Sequence, residues 1–71
     1  MTFDVVHYSR TLSQLLDADV PFVIVTLIDI RGSAPQIIGA KTLVSAQGIE
    51  AGTVGGGLIE ATAVQHAQRL L

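Results

Sequence analysis

The stretch Gly52-Thr53-Val54-Gly55-Gly56-Gly57-Leu58-Ile59-Glu60 constrains this chain more than any other. An apolar strand end runs into three consecutive glycines, and a helix follows. Three glycines in a row require backbone that bends tightly or lets another group approach closely. The helix start behind them offers unpaired N–H groups and the positive end of a dipole. Two readings stand side by side. One is a tight strand-to-helix turn whose glycines serve backbone shape alone. The other is an anion nest, in which successive N–H groups converge on a phosphate or carboxylate.

The rest of the chain limits what can surround that turn. With 71 residues it is one small domain. A chain of this size buries only about 60% of its unfolded surface, so it is marginal alone. It has no Cys, which excludes disulfides and thiolate metal sites as staples. Hydrophobic residues make up 49% and charged residues 14%, and this apolar balance predicts a homo-oligomer or docking to a second domain. The net charge is −2, with Arg10, Arg31, Lys41 and Arg69 as the only permanent cations. No basic cluster exists, which argues against nucleic acid as a partner. The apolar run from Val20 to Ile28 falls short of the roughly 20 residues a membrane helix needs. The N-terminus carries Asp4 and lacks the pattern of a signal peptide. The expectation is a cytoplasmic domain with no membrane partner.

The pattern predicts the order α-β-β-β-α, an α/β (α+β) layer with a small mixed or antiparallel sheet of about three strands and helices over one face. A first helix is expected from about Asp4 to Ala18, capped by Thr2 or Asp4. Val5, Tyr8, Leu12, Leu15 and Leu16 form its apolar face. Phe22 to Arg31 is β-branched and nearly continuous in apolar residues, as in a strand buried on both faces. Gly32 to Gly39, with Pro35 inside, reads as an irregular loop. Ala40–Ala46 and Glu50–Val54 read as a hairpin, with Gly48 supplying a positive φ at the turn. The last helix is expected from Leu58 to Leu71, with Ile59, Ala63, Ala67 and Leu70 as its apolar stripe and Gln65, Gln68 and Arg69 facing away.

Standard catalytic and nucleotide patterns fail on this sequence. The glycines do not match the dinucleotide fingerprint, and no Gly-Lys-Ser/Thr end marks a phosphate loop. Ser33 has no base placed for it, since neither His7 nor His66 is near it in the pattern. The two histidines lie far apart and have no ligand spacing. No general base, nucleophile pair or metal cluster can be read, so a catalyst in its own right is the least supported class. Glu60 falls in the first helical turn, where it complements the dipole. Lys41 and Arg31 are the cations at strand ends beside glycine-rich segments.

Three segments in register then acquire a joint meaning. Gly32-Ser33-Ala34-Pro35, Gly39-Ala40-Lys41, and Gly52-Thr53-Val54-Gly55-Gly56-Gly57 with Glu60 resemble the N-terminal domain of the XdhC/CoxI family. The resemblance covers Phe22 to about Ala67. It implies an accessory, chaperone-like role for a molybdenum hydroxylase such as xanthine dehydrogenase. That role is binding molybdenum cofactor (molybdopterin), aiding its sulfuration and delivering it to the apo-enzyme. The residues carried over as cofactor-binding are Gly32, Ser33, Pro35, Gly39, Lys41, Thr53, Gly55, Gly56, Gly57 and Glu60. On this reading the cofactor phosphate sits on the N–H groups of Gly55 to Leu58, with Lys41 as counter-charge. Ser33 and the Gly32–Gly39 loop line the pterin. On this expectation residues 1–71 are a single domain of this kind, the Rossmann-type domain that usually follows in the family is absent, and the chain is either a fragment or a single-domain relative.

Two positions depart from the family pattern. Gln36 stands where an Arg is frequent, and Leu58 stands where His or Cys is frequent. The first removes a cation able to hold phosphate or pterin oxygens in a bidentate pair. The second removes a polar side chain next to the turn. The alternative is therefore an assembly or dimerisation module that has lost cofactor binding, with Ile37 and Ile38 in an apolar self-association surface.

Overall fold

The computed structural model describes residues 4–28 and 38–71. The elements run α1 (Val5–Asp17), β1 (Val23–Thr26), β2 (Lys41–Ser45), β3 (Gly48–Gly52) and α2 (Gly57–Arg69). Both pairings, β1 with β2 and β2 with β3, are antiparallel, so the sheet order follows the chain. The predicted α-β-β-β-α order is the observed one.

Asp4 caps α1, its carboxylate accepting the His7 N–H at 2.9 Å. Thr2, the other candidate cap, lies outside the described residues. Tyr8, Leu12 and Leu15 point toward the sheet, where Tyr8 and Leu15 join Leu43 and Ala51 in one buried cluster. Val5 and Leu16, also expected inward, are 59% and 61% exposed. At about 100° per residue they fall to one side of the axis through Tyr8, Leu12 and Leu15.

The strand buried on both sides is β2, not β1. Thr42, Leu43, Val44 and Ser45 are all buried, because β2 is the central strand. β1 is an edge strand, and its Ile24 is 45% exposed. It ends as a strand at Thr26, earlier than the predicted Arg31, although Leu27 and Ala40 extend the ladder with a bond of 2.9 Å. Leu43 faces α1, and Val44, leaving the other side of the strand, is equally inaccessible. The central strand is therefore covered on both sides, beyond the single covered face expected. Helix α2 lies against all three strands.

The hairpin is tighter than predicted. Ser45 pairs with Gly48 around the two residues Ala46 and Gln47, and Gly48 has the positive φ (121°) expected of it. The third strand lies two residues earlier than the predicted Glu50–Val54. Leu43 pairs with Ala51 and Val44 with Ile49, which leaves Glu50 as the extra residue of a bulge. Its carboxylate accepts the buried Ser45 hydroxyl, and the same oxygen of Ser45 accepts the Gln47 N–H at 3.1 Å. The apolar-looking Thr53-Val54 pair had suggested more strand. Gly52, with φ 80°, ends it instead.

In α2 the inward positions are Glu60, Ala63, Val64, Ala67 and Gln68, with Ala67 fully buried. Ile59 and Leu70, predicted on the inward stripe, are 48% and 77% exposed. Gln68, predicted to face away, turns in and donates to the Ser45 and Ala46 carbonyls, each at 3.3 Å. These bonds tie α2 to the hairpin turn, beside the inward Ala63, Val64 and Ala67. No described helix is long and apolar enough to cross a membrane.

Candidate functional site

Antiparallel pairing brings those predicted site residues that are described to one end of the sheet. Thr26 pairs with Lys41, and Thr42 pairs with Gly52, so β1 ends, β2 begins and β3 ends together. Gly39 and Lys41 enter from one side, and the glycine turn leaves from the other. Gly39, with φ 91°, donates its N–H to the Leu27 carbonyl and closes the β1–β2 connection. Gly32, Ser33 and Pro35 lie outside the described residues, as do Arg31, Gln36 and Ile37.

The strand-to-helix turn has three successive positive φ angles, 116° at Gly55, 76° at Gly56 and 64° at Gly57. L residues with side chains adopt such angles only under strain, which explains the uninterrupted glycine run. Gly56 is the N-cap of α2, and no side chain caps the helix from that position. A Cβ at Gly56 or Gly57 would meet nothing within 4 Å, so the outer side of the turn is open. The first N–H groups of α2, from Gly56 to Leu58, have no hydrogen-bond partner among the described residues, and a helix start of this kind favours an anion.

The inner side of the turn is filled by Glu60. One carboxylate oxygen, Oε1, accepts the Thr53 hydroxyl at 2.5 Å and the Val54 N–H at 3.2 Å. The Thr53 hydroxyl oxygen in turn accepts the Gly55 N–H at 3.1 Å. Two of the N–H groups at the turn are thus satisfied within the chain. Gly55, expected among the phosphate donors, has its N–H directed at Thr53. Among the described residues, the donors of the turn without a partner begin at Gly56.

Lys41 extends its Nζ to the Thr26 hydroxyl at 3.1 Å, across the β1–β2 pair. An ammonium has three donors, so this bond leaves capacity for a further acceptor. Thr26 was missed in the sequence. Only the register reveals a partner fifteen residues away. The Lys41 backbone also touches the turn's root, since a Cβ at Gly52 would lie 2.1 Å from the Lys41 carbonyl oxygen. Thr42, fully buried beside this contact, has a hydroxyl with no hydrogen-bond partner among the described residues. His66 is exposed on α2 with Leu58, Ile59 and Thr62, along an apolar groove that half-buried Ala63 also lines. His7 is exposed on α1, away from the glycine turn in sequence and element. No group of three or more His, Cys, Asp or Glu side chains is arranged to hold a metal among the described residues.

Comparison with known proteins adds one finding. The profile of the XdhC and CoxI family matches residues 15–71, most of the chain. No curated protein and no solved structure gives a match.

Proposed function

The chain belongs to the XdhC and CoxI family, and from that premise we propose that it is an accessory domain that holds molybdenum cofactor for a molybdenum hydroxylase apo-enzyme. The observation that carries this reading is the open outer side of the glycine turn at the start of α2. The phosphate end of molybdopterin is a chemical fit for it. The N–H groups of Gly56, Gly57 and Leu58 meet the phosphate oxygens, and the helix dipole favours their charge. Lys41 stands at the same sheet end as a counter-charge that can leave or keep its bond to Thr26. Gly39, and the segment Gly32-Ser33-Ala34-Pro35 that precedes it, line the pterin. The cofactor, when bound, brings the redox and sulfur chemistry of its metal. This chain's residues bind and orient it, and the Glu60 carboxylate stays on the inner side of the turn, away from the phosphate.

Titration of the chain with isolated molybdopterin tests the proposal, alone and with a molybdenum hydroxylase apo-enzyme present. Saturable binding that weakens on Lys41→Ala supports it. A flat titration of the folded chain overturns it.

A second reading is favoured by a separate observation. Leu58, Leu70 and Ile38 are 83%, 77% and 63% exposed, more apolar surface than a lone small domain usually presents. On this reading the domain is an assembly module whose cofactor site is vestigial. Sedimentation distinguishes the two. A monomer at high concentration removes the second reading.

A further inference from the structure

The turn contains an internal anion as well as a place for an external one. The Glu60 carboxylate lies one helical turn into α2 and reaches back over six and seven residues to Val54 and Thr53. It is half-buried, and so is Thr53. The bonds form a short chain. The Gly55 N–H donates to the Thr53 hydroxyl oxygen, the Thr53 hydroxyl donates to Glu60 Oε1, and the Val54 N–H donates to that same oxygen. Because the hydroxyl has a single proton, giving it to Glu60 leaves its lone pairs for Gly55. The order of donors and acceptors is thereby set through the whole chain.

We infer that Thr53 and Glu60 are positioning residues of the glycine turn. Their side chains engage the Val54 and Gly55 N–H groups, so that the N–H groups from Gly56 on are the ones left without a partner among the described residues. Glycine-rich backbone has no preference of its own for one such arrangement, since positive and negative φ are nearly equal in energy for it. The carboxylate supplies the preference. It also divides the N–H groups of the turn into a set that is used, Val54 and Gly55, and an outer set with no partner among the described residues. What a ligand meets is the outer set. A charge on Glu60 contributes nothing attractive to an anion there. Its role in the turn is that of an acceptor, and an uncharged acceptor of the same shape receives the same two bonds, each weaker than to a carboxylate. This distinguishes a positioning role from direct contact, in which the carboxylate itself would accept hydrogen bonds from the ligand.

The claim about binding rests on the reading that the turn receives a phosphate-bearing ligand, whereas the claim about turn geometry does not. The experiment separates them. Amide resonances of Val54 to Leu58 are followed in the ligand-free chain for wild type, Glu60→Ala, Glu60→Gln and Thr53→Val. The expected result is that Glu60→Ala and Thr53→Val both move the Gly55 and Val54 amides, and that hydrogen exchange at Val54, whose bond is to the carboxylate, is at least about tenfold faster in Glu60→Ala. Glu60→Gln keeps the pattern, because its amide oxygen replaces Oε1. If Glu60→Ala fails to fold, Thr53→Val carries the same test. Unmoved Gly55 and Val54 amides in Thr53→Val overturn the inference. Binding of isolated molybdopterin is then compared. Glu60→Gln binds as tightly as wild type or tighter, and the variants with a displaced turn bind at least about tenfold more weakly. A Glu60→Gln chain with an intact turn and lost binding overturns the positioning role in favour of direct contact. If wild type itself binds nothing, the proposed function fails, and the amide experiment still decides the role of Glu60 in the turn.

Discussion

Substituting Gly52 with Ala should be the most damaging single-methyl change in the candidate site. Two costs add at this position. The first is backbone strain. Gly52 has φ 80°, and a residue with a Cβ loses about 1–2 kcal/mol there. The second is steric. The new Cβ would lie 2.1 Å from the Lys41 carbonyl oxygen and 3.0 Å from its carbon, and both are backbone atoms that no rotamer change can move aside. Relief requires β2 and β3 to separate where Thr42 pairs with Gly52. Weakening two ladder bonds and the adjoining packing costs a further ~2–3 kcal/mol. The total, ~3–5 kcal/mol, is a large share of the ~4–11 kcal/mol available to a chain of this length. Each kcal/mol lowers the melting temperature by about 4–8 °C in a domain of this size. A thermal melt followed by circular dichroism should therefore drop by at least about 12 °C. Gly48→Ala is the matched control, because φ is 121° but nothing lies within 4 Å of its Cβ. It should show the strain cost alone, about 1–2 kcal/mol. If both variants melt together, the steric half of the reasoning is wrong.

Three further outcomes follow from the same structure. Leu43→Ala, which empties a completely inaccessible position under α1, should cost about 2–5 kcal/mol in urea denaturation without changing the order of strands. Asp4→Ala removes the acceptor of the His7 N–H and should cost about 1 kcal/mol, seen as early fraying of α1 by hydrogen exchange. Burial raises the Tyr8 phenol above its usual value of 10.0. The neutral form is thus favoured by the fold, and the associated stability, complete below the unfolded pKa, is lost as pH rises through the folded one. Urea midpoints should therefore fall as pH climbs past about 10, and Tyr8→Phe should flatten that slope.

Much of the fold was legible because its signals are local. The α1 cap, the hairpin glycine at 48 and the strand-to-helix glycines each announce themselves by residue type at the position where the backbone needs them. The errors share a different origin. β1 looks more buried than β2 by composition, yet the sheet order puts β2 in the centre, and strand order is not written in any one segment. Ile59 and Leu70 fit a helical stripe as well as Val64 and Ala67 do. The bonds from Gln68 to the hairpin carbonyls and from the Thr53 hydroxyl to Glu60 go with the stripe that turns inward.

The glycine turn shows the division most sharply. Sequence alone marked Gly55, Gly56 and Gly57 as backbone able to take conformations closed to side chains, and all three have positive φ angles. It also determined the family, through three short segments whose spacing survives in the chain. Which N–H groups of the turn are spent and which stay open was decided by tertiary structure. That outcome depends on where the Glu60 carboxylate arrives once α2 has docked on the sheet. Likewise, Lys41 meets Thr26, and Gly52 meets the Lys41 carbonyl, only through the antiparallel register. Backbone torsions are local and follow residue type. Donor and acceptor pairing across the sheet depends on the positions of all three strands at once.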